Sequence, residues 1–206
     1  MKQDKIEAIK TARALLAQRP VYLDTETASL DEQAEIIDIT VIDSDGTILL
    51  DTLVRPTAPI PQEAKGIYGI ADEDIVVAQL YPEIRGELFL CIAHRFVVIY
   101  GVDYETRSIR QSMRAHGITV GSKIRAVCAM ELYAQFYGDW DGQSYKWQSL
   151  DSAARQLGIV HDSLHRAAAD ADLCRLVVEE MANTPLPGET AQSSQLAEII
   201  FRWSIF

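Results

Sequence analysis

Two short runs of this sequence carry acids at spacings that can do chemistry. In VYLDTET, residues 21–27, Asp24 and Glu26 stand two apart. On a β-strand, positions i and i+2 point to one face, so the two carboxylates lie side by side. Like charges held that way are costly unless a cation neutralises them. Oxygen ligands of this kind suit hard divalent ions such as Mg²⁺ and Mn²⁺. In HRAAADADLCRL, residues 165–176, His165 stands just ahead of a helical run and Asp170 lies five residues on. From the entering loop the imidazole of His165 can overhang the first turns while Asp170 projects inward. Taken singly, each residue has an ordinary explanation. D-x-E is common on acidic surfaces, a loop histidine is often just exposed, and Asp170 or Asp172 suits a solvated helix face.

Taken together the groups describe phosphodiester hydrolysis without a covalent intermediate. Carboxylates from separate elements can hold two ions about 4 Å apart, one acting on the attacking water and the other on the leaving oxygen. A histidine with a pKa near neutrality can take the water's proton. Such a device wants one more acid. The stretch VVIYGVDYETR, residues 97–107, reads as a buried strand, an acidic turn and a helix, and offers both Asp103 and Glu105. Two residues apart on a helix they point about 200° from each other, so they cannot both face the ions.

The elements that must position these groups are legible in part. Residues 3–18 read as a helix with Ile6, Ile9, Leu15 and Leu16 on its apolar side, stopped by Pro20. Strands are expected at 21–27, 35–43 and 47–54, the last two joined by the turn Ser44-Asp45-Gly46. Three prolines stiffen the loop at 55–61. Short helical pieces follow at 62–69, 72–77 and 81–91, then a doubly buried strand at 96–100. Helices are expected at 104–116, 125–137, 149–157 and 166–182, with Gly117 and Gly158 as stops. Residues 138–148 form a polar, aromatic loop. This order implies an α/β domain with a mixed sheet flanked by helices.

The chain has 206 residues, is 48% hydrophobic and 24% charged, and carries a net charge of −11. That is an ordinary composition for a globular domain. The negative charge argues against non-specific wrapping of nucleic acid through many phosphate contacts. It leaves room for an enzyme whose bound cations take the phosphate. No apolar run is long enough for a membrane span, and the N-terminus lacks a secretory pattern. Cys91, Cys128 and Cys174 are widely spaced, as suits buried thiols in a reducing cytoplasm. The reading is therefore one domain at 1–182, then a Pro/Ser-rich linker and apolar tail at 183–206. The tail, LAEIIFRWSIF, either folds back on the domain or docks on another protein.

These motifs, in this order, resemble the DnaQ-like 3′–5′ exonucleases of the DEDDh type. The resemblance covers residues 18–182. VYLDTETASLDEQAEIIDITVIDSDG looks like the family's opening hairpin, VRPTAPIPQEAKGIYGIADEDI like the stretch before its third helix, and HRAAADA like its last motif. YKWQSLDSAARQLGI looks like the approach to that motif. The resemblance implies an RNase H-like fold with a five-stranded mixed sheet, three antiparallel strands and then parallel ones. It implies two divalent ions, Mg²⁺ or Mn²⁺, on Asp24, Glu26, Asp170 and a middle-motif acid, with His165 as general base.

The family's middle motif reads like YNADYDxR. Tyr100, Tyr104 and Arg107 match it, Gly101 stands at the asparagine, and Glu105 stands at the catalytic aspartate. That register selects Glu105, with Asp103 as the alternative. The departure leaves three outcomes open: an active enzyme with a rearranged ligand, a slow or Mn²⁺-preferring one, and a weakened module that binds nucleic acid ends or a partner. By resemblance the 3′ nucleotide lies near Thr25, Thr27 and Leu30, and Tyr68 and Ile70 offer a stacking or wedge surface. Ile70 can equally be core. Lys146 and Trp147 meet the substrate strand, or Trp147 plugs the core. The substrate expected is a single-stranded 3′ end, DNA ahead of RNA, in the cytoplasm. Dimerisation is open, since several family members are dimers.

Overall fold

A computed structural model describes residues 2–29, 31–61, 69–119, 124–161 and 166–189. It begins with helix α1 (Gln3–Leu16) and continues through strands β1 (Val21–Thr27), β2 (Ile36–Asp43) and β3 (Ile48–Arg55). Helix α2 (Asp72–Val77), the short strand β4 (Gln79–Leu80) and helix α3 (Tyr81–Ile92) follow. Next come β5 (Phe96–Ile99), α4 (Val102–Ala115), β6 (Arg125–Cys128) and α5 (Ala129–Tyr137). Helices α6 (Leu150–Leu157) and α7 (Ala167–Asn183) close the described chain.

The strands form one sheet in the order β4-β3-β2-β1-β5-β6. β1, β2 and β3 pair antiparallel, while β5 and β6 join β1's free edge in parallel. The sheet thus has six strands rather than the expected five. The sixth is β4, whose two residues pair parallel with Val54 and Arg55 at the outer edge. So short a strand leaves no periodicity to read. Residues 125–137, expected to be helical throughout, instead begin as a strand. Arg125–Cys128 pairs with Phe96–Ile99, and the helix starts only at Ala129. Four residues cannot separate a period of 2 from one of 3.6 without the neighbouring strand.

β1 is buried along its whole length, so each of its faces meets a core. Tyr22 and Val98 face one core, which α1, α5, α6 and α7 fill with Ile9, Phe136, Ala153 and Val177. Val21, Leu23 and Val97 face the other, built by α3 and α4 through Ile84, Leu88 and Met113. A smaller cluster holds Ala28, Ile37, Ile70 and Ile75. The start of the expected linker is held to the domain. Arg13 donates to both carboxylate oxygens of Glu189 at 2.8 Å, and to the carbonyls of Ala182 and Thr184. The apolar tail lies outside the described residues.

Candidate active site

The alternation of β1 sets the site's first pair. Tyr22 faces the core of α7, so Asp24 and Glu26 continue that face towards the strand's carboxyl end. α7 packs over the same face, with Asp170 in its first turn. There the carboxylates of Asp24, Glu26 and Asp170 offer oxygen atoms within 4.8 Å of one another. The cluster lies towards the carboxyl end of β1, between β2, which runs antiparallel to it, and β5, which runs parallel. Such switch points are where open α/β sheets present their ligands.

The opposite face of β1 carries Thr25 and Thr27, and α4 reaches both. The Thr25 hydroxyl donates to Oε2 of Glu105. The hydroxyls of Thr27 and Tyr104 lie 2.5 Å apart. Glu105 is buried in this arrangement, whereas Asp103 is exposed on the same helix. Glu105 is thus turned inward, where its charge acts on Asp24 and Glu26, although its oxygens are not among the three groups that lie within 4.8 Å of one another. α4 begins two residues earlier than expected, because Gly101 at φ 105° turns the chain straight from strand to helix. Glycine takes that left-handed region freely and asparagine is among the few other residues that visit it, which gives the motif's glycine-for-asparagine difference a backbone reason.

Burial and mutual repulsion dominate the electrostatics. Desolvation, and then the charges of Glu105, Asp170 and Glu26, raise the Asp24 carboxyl well above its usual range. Desolvation and the charges of Asp170 and Glu105 push Glu26 up to about 8. Glu105 rises to about 7 through desolvation, opposed by hydrogen bonds from Thr25. A divalent cation would relieve this crowding, and three converging carboxylates are a donor set that hard cations take.

One ion pair at the site was not expected from the sequence. Asp38 sits on β2 opposite Glu26 and is 1% exposed. Its Oδ2 accepts from Arg166 Nε at 2.9 Å and from the Ala167 amide at 3.4 Å. It thereby ties the first residues of α7 to the central sheet. Burial raises the Asp38 carboxyl and the Arg166 guanidinium pulls it back down. The available signal was Asp38 inside the largely apolar stretch IIDITVI.

The remaining expected contacts divide four ways. Thr25 and Thr27 are buried beside the acids. Ile70 is 7% exposed and packs with Ala28, Ile37 and Ile75, so it stands in a core cluster rather than on an open face. Trp147 is 66% exposed, so it does not plug the core. His165, Leu30 and Tyr68 lie outside the described residues.

The mixed sheet with helices on both faces and three carboxylates converging at its central switch point is an RNase H-like arrangement. A model of the exonuclease family RNase_T matches residues 21–177, so the chain belongs to that family. It is similar to the uncharacterized exonuclease CP81 of Escherichia phage 186, with 38% identity over 178 residues, 83% of this chain and 92% of that protein. Its fold is similar to that of exonuclease X solved with 5′-overhanging duplex DNA. The TM-score there is 0.57 at 22% identity, covering 84% of this chain and 95% of that one. It is also similar to S. pombe Pop2p solved with Mg²⁺ and Mn²⁺. That match has a TM-score of 0.59 at 13% identity and covers 92% and 93% of the two chains. Among the described residues no helix is long and apolar enough to cross a membrane.

Proposed function

We propose that this exonuclease is a metal-dependent 3′–5′ enzyme that acts on single-stranded DNA ends and releases nucleoside 5′-monophosphates. The observation that carries the reading is the convergence of the Asp24, Glu26 and Asp170 oxygens, with Glu105 buried alongside. These four carboxylates would hold two divalent ions, Mg²⁺ or Mn²⁺. Bound there, the ions would supply Lewis acidity at the scissile phosphodiester.

The chain's own residues do the rest. Thr25 holds the Glu105 carboxylate by its hydroxyl, and Tyr104 against Thr27 fixes the helix turn that carries it. Asp38, through Arg166 and the Ala167 amide, fixes the start of α7 and with it Asp170. His165, immediately before Arg166, takes the proton of the attacking water as general base. Exonuclease X was solved with duplex DNA carrying a 5′ overhang, which supports DNA as the polymer.

The test is a time course on 5′-labelled single-stranded DNA and RNA of one sequence, with Mg²⁺, Mn²⁺ or EDTA. The expected result is a ladder shortening from the 3′ end, faster on DNA and absent in EDTA. Internal cuts or cleavage in EDTA would overturn the reading. Faster cleavage of RNA would move the substrate to ribonucleic acid ends.

A further inference from the structure

We propose that Trp147 is a stacking platform for a nucleobase upstream of the 3′-terminal nucleotide, an inference that rests on the single-strand exonuclease reading above. Trp147 has no ring partner among the described residues and is 66% exposed. The other exposed aromatics differ from it. Trp140 packs edge-on against Tyr145 at 5.0 Å, and Tyr137 stacks on Tyr133 at 6.1 Å. Phe89 lies on α3, across the sheet from α7.

An exposed indole is a useful platform only if its backbone is rigid, and here both neighbours are fixed. On one side residues 139–146 form a tight hairpin. The Lys146 amide donates to the Asp139 carbonyl at 2.8 Å, the Asp141 amide donates to the Ser144 carbonyl at 3.1 Å, and Trp140 bridges Tyr145. The Tyr145 hydroxyl, donating to Asp4, ties that hairpin to α1. On the other side the Tyr100 hydroxyl donates to the Gln148 carbonyl at 2.9 Å. Gln148 is held again by Gln156 on α6 at 3.1 Å.

The Tyr100 bond also places the platform. β1 and β5 pair as Val21 with Val97 and Tyr22 with Val98. Continued in step, that register sets Tyr100 level with Asp24 one strand away, and adjacent strands are about 4.8 Å apart. Tyr100 packs into the same core as α7, on the face of β1 that carries Asp24 and Glu26. The loop bearing Trp147 is therefore docked at the end and on the face of the sheet where the acids converge. Stacking on Trp147 requires that a single strand whose 3′ end lies on those acids run out past this loop. Lys146, half exposed beside the indole, is paired with Asp139 at 3.5 Å, and a strand phosphate there would have to compete with that carboxylate. Stacking of this kind accepts any base and suits an enzyme that moves along a strand.

The test compares the full chain with Trp147→Ala and Trp147→Phe on two substrates. One is a single-stranded DNA 20-mer and the other is thymidine 5′-(p-nitrophenyl phosphate), which has no upstream base. Trp147→Ala should raise KM for the 20-mer about ten-fold or more. That loss should exceed any loss on the mononucleotide ester by about the same factor, and Trp147→Phe should recover most of it. Equal losses on both substrates, or no loss on the 20-mer, would overturn the proposal.

Binding measured by fluorescence anisotropy, with Ca²⁺ in place of the catalytic ions, tests the same contact independently of turnover. There an abasic site at one upstream position should weaken the wild type as much as Trp147→Ala does, and add little to that variant. Additive effects at every position would overturn the stacking assignment. If the wild type cuts neither substrate, the exonuclease reading fails, and the binding comparison alone then decides the role of Trp147.

Discussion

Removing divalent metal should make the stability of this protein fall as pH rises, opposite to the usual behaviour of carboxylates held in salt bridges. Glu26 keeps its proton to about pH 8 in the folded chain, against 4.5 when unfolded. Below 4.5 both states are protonated, and the stabilisation is fully present. Between 4.5 and 8 the folded state holds a proton that the unfolded state has lost, so stability declines with each pH step. Moving one carboxyl from 4.5 to about 8 corresponds to about 5 kcal/mol. Asp24 and Glu105 shift in the same direction, but the three titrate together and do not add. A loss of roughly 3–5 kcal/mol between pH 5 and 8 is the working magnitude. For a chain of this size that lowers Tm by on the order of 10 °C. Asp43 and Glu189, both held down at about 2, are already ionised throughout the window. The assay is thermal unfolding by circular dichroism at pH 5, 6.5 and 8, in EDTA and in MnCl₂. Manganese should raise Tm strongly at pH 8 and little at pH 5, where protons compete for the same oxygens. The Glu26→Gln variant should flatten the EDTA profile. A Tm in EDTA that is level or rising from pH 5 to 8 would refute the account of crowded carboxylates.

Three further outcomes follow from named contacts. Glu105→Gln should lower kcat on single-stranded DNA by about 10²-fold or more, while Asp103→Asn, on the exposed side of α4, should stay within about two-fold; the reverse ranking in a steady-state assay would move the third acid to Asp103. Arg166→Ala leaves the buried Asp38 without its ion-pair partner and should cost about 1–3 kcal/mol in urea unfolding. It should also slow cleavage by more than its stability loss explains, since α7 carries Asp170. Gly101→Ala places a side chain at φ 105° with no atom within 4 Å of the new Cβ. The cost is then backbone strain alone, about 1–2 kcal/mol by denaturant titration, and Gly101→Asn should recover part of it.

How much of this was legible in the sequence depends on the length of each signal. β1 and α2 run over the residues expected, 21–27 and 72–77, because an extended apolar run and a short helical one were bounded by clear breaks. β6 and β4 were missed because four and two residues carry no period, and only the neighbouring strand makes them strands. The acids of β1 were visible through their i, i+2 spacing. Asp38 was not, since a lone acid on a strand becomes meaningful only when α7 brings Arg166 and the Ala167 amide to it. Motif register pointed to Glu105 over Asp103, and helical phase separates the two. What the sequence could not supply was the partner, the Thr25 hydroxyl from a strand 80 residues away.

That partner bears on whether the altered middle motif marks a working site or a decayed one. A glutamate is one methylene longer than the aspartate it stands for, and an unrestrained longer side chain would blur the position of its carboxylate. Here the carboxylate is buried, bonded by Thr25, and carried on a helix turn that Tyr104 holds to Thr27. The extra length is thus taken up by a fixed anchor. Keeping three carboxylates together, with a fourth buried nearby, is also expensive for the fold. Each ion withdrawn from water without a counter-charge costs several kcal/mol, and apolar residues of similar volume would make a more stable sheet end. Local choices that work against stability concentrate at functional sites. The convergence of Asp24, Glu26 and Asp170, with Glu105 buried and held by Thr25 and a separate ion pair tying down the start of α7, is therefore the physical reason to expect cleavage rather than binding alone.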